Sequence, residues 1–490
     1  MNWYLLGIGI YIVLLVGVSI YASKKVKTGE DFDVAGRSLP YWLLSFTFAG
    51  LWFGGGTVIG TTGVAFDYGF WSTEAAWGVI PDPYGAGLCL ILAGLFYFTT
   101  LRKLGGVTLA DFFEARFGKK AALLSTLVMI FGWTFFVAAQ IVVFGKIFNS
   151  ILGWSFNLSI WIGVVLIVLY TIAGGLWSVA LTDMVQMIIV LIGIIIAVPI
   201  GLNAVGGIQE VKAVLPPEML SFTPSFHPDF STAGRWIPWI SGWMIIALGS
   251  IASPDITQVA QAGLTDKDVK RASVTAGFIY WFFGSLIVLL GLIGAALVAQ
   301  GTLTLEMLGG DSELIMPVMI QELFPLPLAI IFVSAILAAV MSSADGALLA
   351  LSTLFSRNIL PFFRKASADE KKELLICRLV VVVFAVLTTV IGIAYPNAFL
   401  LMNFGFDSLL AGLFVPLTLG IYWKRTSVKG FFAGVISGIL VRVVLSGFLE
   451  GWTLETVMYP EKWYLYTMIA PLVNLLFTVS VSLLEKKEYE

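Results

Sequence analysis

Apolar runs of membrane length, separated by short polar turns, recur along nearly the whole chain. Thirteen can be marked, at 3–22, 42–66, 73–99, 122–149, 155–173, 178–204, 236–262, 272–300, 327–356, 376–394, 397–423, 428–448 and 464–484. A helix needs about 20 apolar residues to cross the hydrocarbon core, so each run predicts a transmembrane helix. The longest connections are 205–235 and 301–326 on one side and 101–121 and 357–375 on the other. None is long enough for a soluble domain, so residues 1–490 read as one membrane domain. TLADFFEARFG (108–118) predicts a short amphipathic surface helix with Asp111 near its start, and EMLGGDSELIMPVMIQELF (306–324) predicts another.

Two runs carry helix breakers. In AGLWFGGGTVIGTTG (49–63), Gly54, Gly55 and Gly56 stand in a row; each costs about 1 kcal/mol against alanine in a helix. In LGSIASPDITQ (248–258), Pro254 removes a donor and disfavours helix at Ser253. Small residues also serve tight helix packing in membranes. The breaks, however, fall in the second and seventh runs, five apart. That is the interval of a five-plus-five inverted repeat, 42–204 and 236–423, with one helix (3–22) before it and two (428–484) after. Unwound backbone at membrane depth persists only where it is buried or lines a cavity.

Polar chemistry inside the runs is sparse and concentrated. In AAVMSSADG (338–346), Ser342 and Ser343 lie three and four residues after Ala339, on one helical face. Asp345 follows, at a cost of about 3 kcal/mol if unpaired at bilayer depth. Such a cluster suits a small cation that sheds its water; the alternative is that each serine bonds back to its own helix and Asp345 sits near an aqueous end. Asp82, between two prolines in PDPYG (81–85), points to a third irregular helix facing a cavity, where it and Tyr84 would hold a cationic or hydrogen-bonding substrate. Asp407 and Phe406 in NFGFDSLL (403–410) would line the same cavity, with Gln140 a weaker candidate; single aromatics in such helices also serve packing.

Composition narrows the class. The chain is 59% hydrophobic and 12% charged, which excludes a soluble protein of this length. A net charge of −2 says nothing useful about partners, and no nucleic-acid partner is expected. Position says more: 23 of the 28 Lys and Arg fall in alternate connections and the carboxyl-terminal tail, which puts the amino terminus outside and the carboxyl terminus in the cytoplasm. Cys89 and Cys377 make no disulfide framework or metal motif, and the lone His227 is assigned no role. With no nucleophile–histidine pair, metal cluster or phosphate loop, no enzyme and no cofactor is expected. The first run lacks a basic n-region and cleavage site and reads as a retained helix.

Four stretches together resemble a known family: AGLWFGGGTVIGTTG, LYTIAGGLWSVALTDMVQ (169–186), SAILAAVMSSADGALLALSTLFSRNI (334–359) and VKGFFAGVISGILVR (428–442). The chain is similar to the sodium/solute symporters over about residues 3–484, and WFGGG and MSSADG look most like the choline transporters and their prokaryotic relatives. The resemblance implies an all-α integral membrane protein of LeuT-type fold with thirteen spans and an outside amino terminus. It implies a sodium site of the Gly50, Phe53 and Ala339 carbonyls and the Ser342 and Ser343 hydroxyls. A second cation between Asp183 and Asp345, with Ser342, is the further expectation; the rival is that Asp183 caps its helix and Asp345 binds a backbone amide. Trp52 corresponds to a tryptophan that lies against the substrate ammonium, Phe136 replaces another cage tryptophan, and Ser253 stands where a third is found. Gln258-Val259 replaces the family's Gln-Arg. The function implied is sodium-coupled symport of a small organic solute across the plasma membrane by alternating access. A quaternary ammonium or amino-acid-like solute is the first expectation, then proline, pantothenate or another carboxylate. A membrane sensor without net flux is the reading of another class. Partners are then Na⁺ as coupling ion, the solute and the bilayer.

Overall fold

Because backbone groups in hydrocarbon must be satisfied internally, apolar runs of this length resolve into helices. The structure, a computed structural model, describes residues 3–225, 231–363 and 370–485. His227 and the basic residues Arg364, Lys365, Lys486 and Lys487 lie outside the described residues. Among the described residues, ten helices are long and apolar enough to cross a membrane, and the pair Thr232–Ala252 and Pro254–Ala262, bent by 51°, makes an eleventh candidate. Large apolar side chains stay exposed on several of them, including Val13, Val383 and Leu476. Faces of this kind need a bilayer to cover them.

Three expected runs take other forms. The run 42–66 is divided into the helices Tyr41–Gly50 and Thr61–Tyr68 around a break. The runs 155–173 and 178–204 join as one helical path, Phe156–Val205, which leaves helical geometry at Gly175 (φ 54°, ψ −156°). A Cβ at Gly175 would lie 2.5 Å from the Phe32 carbonyl oxygen, so the short helix Gly29–Val34 crosses against bare backbone there. That short helix had no counterpart in the hydrophobic pattern; Thr28 and Asp31 start it with a reciprocal capping box.

The run 73–99 starts later than its apolarity suggests. Trp71–Ser72 pairs with Trp77–Gly78 as an antiparallel hairpin, and helical turns begin at Ile80. Gly69 (φ 65°) turns the chain into this hairpin, and Pro81 suits a first turn whose amide would lack a partner. Both surface helices form. Leu109–Phe117 carries a capping box of Thr108 and Asp111 and stacks Phe117 on Phe431, 4.9 Å between centroids. Ile315–Leu323 follows a tight turn at Ser312–Leu314. Four of the largest buried rings, Trp52, Trp133, Tyr280 and Phe136, lie around the break after Gly50.

Candidate functional site

In an unbroken helix the Gly54 amide would donate to the Gly50 carbonyl. Here it donates to the Trp52 oxygen instead, at 2.6 Å. The Gly50 oxygen is thereby released and accepts the hydroxyls of Ser342 at 3.0 Å and Ser343 at 3.1 Å from the facing helix Leu326–Leu354. The Gly55 amide donates to Gln140 Oε1 at 2.7 Å, and the Trp52 oxygen also accepts from Thr57 Oγ1 and Tyr280 Oη at 3.1 and 2.9 Å. Side chains therefore stand in for the missing helical ladder. Glycine is required at the tightest point: a Cβ on Gly54 would lie 2.2 Å from Ser343 Oγ and 2.6 Å from Gln140 Oε1. Phe53 and Ala339 are buried on the same two elements.

Behind Ser342 sits a carboxylate. Its hydroxyl also reaches Asp183 Oδ1 at 2.5 Å. Asp183 is fully buried within its helix rather than capping an end, and its Oδ2 is buried without a hydrogen-bond partner among the described residues. Asp345, one turn beyond Ser342, accepts the Gly346 amide at 2.6 Å and lies close enough to Asp183 for the two charges to interact. Tyr11 of the first helix closes this end, accepting from Gln186 Nε2 at 3.0 Å. No group of three or more His, Cys, Asp or Glu side chains placed for a metal ion exists among the described residues. The assembled set is instead neutral oxygens plus one under-coordinated carboxylate oxygen, which suits a hard monovalent cation.

On the other side of the break lies an aromatic cluster. Phe406 meets Trp52 edge-on at 5.5 Å and also contacts Trp133 at 5.6 Å and Phe136 at 5.5 Å, while Trp133 and Phe136 stack at 4.6 Å. Trp133 was not singled out from the sequence, although it lies three residues before Phe136 on the same helical face. The Trp52 indole donates to Asp255 Oδ2 at 2.9 Å, and Asp255 Oδ1 accepts from Ser253 Oγ at 2.8 Å and the Ile256 amide at 2.6 Å. In the sequence Asp255 reads only as a helix-start signal, a carboxylate directly after Pro254. Asp82 is buried at the same place: Tyr280 Oη donates to its Oδ1 at 3.0 Å and Thr61 to its Oδ2 at 2.8 Å. Tyr280 and Thr57, 2.5 Å apart, carry the connection back to Trp52.

Two expectations are corrected by the packing. Tyr84 does not join Asp82; its ring packs on Phe70 and Phe222, and its hydroxyl meets Ser285 at 3.3 Å. Asp82 and Tyr84 flank Pro83, and the extended backbone at Asp82 (φ −138°, ψ 126°) sends the two side chains apart. Asp407 does not present a free carboxylate beside Phe406, because it is ion-paired with Arg442, which also donates to the Val457 and Met458 carbonyls. Opposite charges in neighbouring membrane helices pair because each alone is costly.

The site is sealed on the face that carries residues 29–37 and 101–108. Asp33 pairs with Arg357, while Gln258 Nε2 donates to the Asp33 carbonyl at 2.7 Å and to Thr353 at 3.3 Å. Burial pushes the Asp33 carboxyl up from its ordinary value, and the Arg357 charge pulls against it. Arg37 reaches Gln261 at 2.9 Å, and Arg102 pairs with Asp266 at 2.8 Å. These contacts tie the helix Pro254–Ala262 and its end to that face. On the opposite face a cavity of about 290 Å³ opens.

The sequence model described as the Sodium:solute symporter family matches residues 32–438. The human high affinity choline transporter 1 is 28% identical over 453 residues, covering 90% of this chain and 76% of that protein. The high-affinity proline transporter PutP of Bacillus subtilis is 29% identical over 440 residues, covering 88% of this chain and 89% of its own. Among solved structures, a Na⁺-coupled sialic acid symporter in a substrate-bound outward-open state superposes with a TM-score of 0.81 at 20% identity, covering 98% of both chains. The backbone thus has the expected LeuT-type fold.

Proposed function

The chain belongs to the sodium:solute symporter family and couples sodium to the symport of a small solute; from that premise we propose which residues bind each. The sodium ion takes the place now bridged by hydroxyl hydrogens, between the Gly50 carbonyl and the Ser342 and Ser343 oxygens. Hydroxyls rotate freely enough to turn their lone pairs to an ion. The Phe53 and Ala339 carbonyls complete the shell. The observation that carries this reading is the released Gly50 oxygen, met by two hydroxyls from another helix. A second cation site at Asp183, Asp345 and Ser342 is supported by the partnerless Asp183 Oδ2.

The solute lies against Trp52, Trp133, Phe136 and Phe406. An ammonium group there is attracted to the ring faces by about 2 kcal/mol when desolvated. The Trp133 indole nitrogen and Gln140 Nε2 are buried donors without partners among the described residues, so an oxygen on the solute has hydrogen bonds waiting for it. A solute with an ammonium at one end and a hydroxyl or carboxylate at the other fits both features. That describes choline and proline, the solutes named for the two relatives. Asp82, Ser253 and Asp255 hold the two breaks in place around it. Sodium binding fixes the first break, the solute fills the cluster, and parting of the Asp33–Arg357 contact opens the inner path. Gradient and potential drive the cycle, the latter by about 2.3 kcal/mol per charge per 100 mV. In this reading the chain spans the plasma membrane thirteen times, amino terminus outside and carboxyl terminus in the cytoplasm.

The test is uptake of radiolabelled choline and proline into proteoliposomes under an inward sodium gradient, with potassium as control. Accumulation of one of them in sodium alone is expected. Equal uptake in both salts contradicts the reading.

A further inference from the structure

A cavity of about 320 Å³ lies between the helix Lys119–Leu152, which lines it with Leu127, Val128 and Phe131, and the helical path Val428–Glu450, which lines it with Ile439 and Val443. Leu127 and Phe131 are exposed, as are Ile436 and Leu440 on the facing wall, so the groove opens where a bilayer would cover it. Its floor belongs to the path Ala398–Tyr422, at Ala411. A Cβ on Gly412 would lie 2.9 Å from Val128 Cγ1 and 3.4 Å from Ile439 Cδ1, so both walls come down onto bare backbone there. Floor and wall each widen into a π turn at this level, Leu410–Phe414 and Leu440–Leu445. Asn474 takes the Ala411 and Gly412 carbonyls at 2.8 and 3.1 Å. Two polar residues reach the cavity, and both are engaged elsewhere: Ser408 Oγ donates to the Phe404 carbonyl at 2.8 Å, and the Arg442 guanidinium is held by Asp407 and the Val457 and Met458 carbonyls. Such a space suits hydrocarbon rather than water.

Charge stands at one end of the groove. Lys120, Leu124, Leu127 and Phe131 follow at intervals of four, three and four, so one helical face leads from a lysine to the cavity. Phe432, Ile436, Ile439 and Val443 repeat that spacing on the facing wall. From Lys120 to Phe131 the rise is about 16 Å, the depth of one leaflet of a hydrocarbon core about 30 Å thick. Lys119, Lys120, Lys424 and Arg425 are exposed at this end. Arg116 draws the 420–424 segment toward the first two, donating to the Gly420 and Lys424 carbonyls at 3.2 and 3.0 Å. Lys429 is already paired with Glu485 at 3.1 Å. Glu114 lies about half a turn round the surface helix from Arg116 and so faces away. The Thr108 and Asp111 contacts with Asn358 put this edge on the face sealed by Asp33 and Arg357. Basic residues recur along that whole face, and this edge differs in that they stand at the mouth of an apolar groove.

We propose that the groove binds an anionic phospholipid from the leaflet on the sealed face. Its phosphate rests on Lys119, Lys120 and Arg425, and one acyl chain runs over Leu124 and Leu127 to end in the cavity. A basic cluster at the end of membrane helices recognises such headgroups, and the apolar wall holds the chain. The chain then lies beside the close contact of Gly132 with Gly405, where a Cβ on Gly132 would meet the Gly405 oxygen at 2.7 Å. Those two helices carry Trp133, Phe136 and Phe406, so the lipid braces the aromatic cluster from outside.

Dioleoylphosphatidylglycerol is the probe, added to the delipidated full-length chain in detergent, with bound lipids resolved by native mass spectrometry. The first molecule is expected to bind about tenfold more tightly than dioleoylphosphatidylcholine, which has the same chains and no net charge. Lys119→Gln/Lys120→Gln should weaken the anionic lipid about tenfold and the zwitterionic one less than twofold. Leu127→Trp, which fills the cavity from a lipid-facing position, should weaken both about fivefold. Lys24→Gln/Lys25→Gln, basic residues in another connection, should change neither by more than about twofold. Glycerol phosphate, a headgroup without chains, should not compete. Equal affinity for the two lipids overturns the proposal, as does an unchanged affinity in Lys119→Gln/Lys120→Gln. An equal loss in Lys24→Gln/Lys25→Gln overturns it in favour of general attraction to the basic face. Competition by glycerol phosphate, or binding unaltered in Leu127→Trp, overturns the groove as the seat of the chain. All five positions are exposed, so these variants should fold.

Discussion

The two broken helices solve the same problem in opposite ways. In the first, three glycines let the chain turn, and other helices supply most of the missing partners: Ser342, Ser343, Gln140 and Tyr280, with Thr57 added from the segment itself. In the second, proline makes the break and the segment satisfies itself. Ser253 and the Ile256 amide both close on Asp255 Oδ1, leaving Asp255 Oδ2 for the Trp52 indole. The first break is therefore open to exchange of partners, because a carbonyl bound only by two rotatable hydroxyls can be handed to an ion. The second is a strut, and the Trp52–Asp255 bond ties one to the other. Helix breakers alone do not make a coordination site; what matters is whether the freed backbone groups are claimed from within the segment or from across the bundle.

The contrast is broken most severely by filling the first turn. Gly54→Ala places a methyl against Ser343 and Gln140, and overpacking of about 1–3 kcal/mol there should cut sodium-driven uptake about a hundredfold. An alanine that leaves uptake within a few-fold would mean the close approach is incidental. Changing the strut should do less and act elsewhere. Asp255→Asn weakens a charge-assisted bond to Trp52, so the solute KM is expected to rise about three- to tenfold while half-saturating sodium stays within about twofold. If sodium affinity falls in parallel, the breaks are one unit rather than two. The smallest effect is expected at the sealed face. Arg357 is partly exposed, so its pair with Asp33 is worth about 1 kcal/mol or less. Asp33→Asn should speed amide exchange in Pro254–Ala262 about fivefold, and unchanged exchange would assign the seal to Gln258 and Arg102 instead. Acidification acts in the opposite direction: a carboxyl whose value is raised in the sealed state takes up a proton more readily sealed than open, so protection in Pro254–Ala262, corrected for the intrinsic pH dependence of exchange, rises as pH falls. Because Asp33 titrates above its ordinary value, this begins at a higher pH than for an exposed aspartate.

Much of this was legible in the sequence, since membrane helices are long and uniform enough to count and breakers stand out inside them. The Ser342–Ser343 pair, the glycine turn and the aromatic residues Trp52, Phe136 and Phe406 all converge as the residue patterns and the resemblance implied. What was missed has two physical sources. The hairpin 71–78 is tryptophan-rich and apolar, so hydropathy alone merges it with the helix that follows. Tyr280 lies 198 residues from Asp82 and 228 from Trp52, and no local period encodes a contact across helices so far apart in the chain. The Asp407–Arg442 pair was readable in principle, as two opposite charges deep inside their runs, where Lys429 at the very start of 428–448 is the other charged residue.

The central claim is that oxygens of two helices replace the hydration shell of one sodium ion. Equilibrium sodium titration, read by tryptophan fluorescence on the unaltered chain, Ser343→Ala and Ser342→Ala/Ser343→Ala, tests it most directly. Loss of one ligand oxygen should raise the half-saturating sodium concentration about tenfold, and loss of both should abolish the response, while Ser253→Ala leaves it unchanged. A double variant that still binds sodium with unaltered affinity would contradict the account.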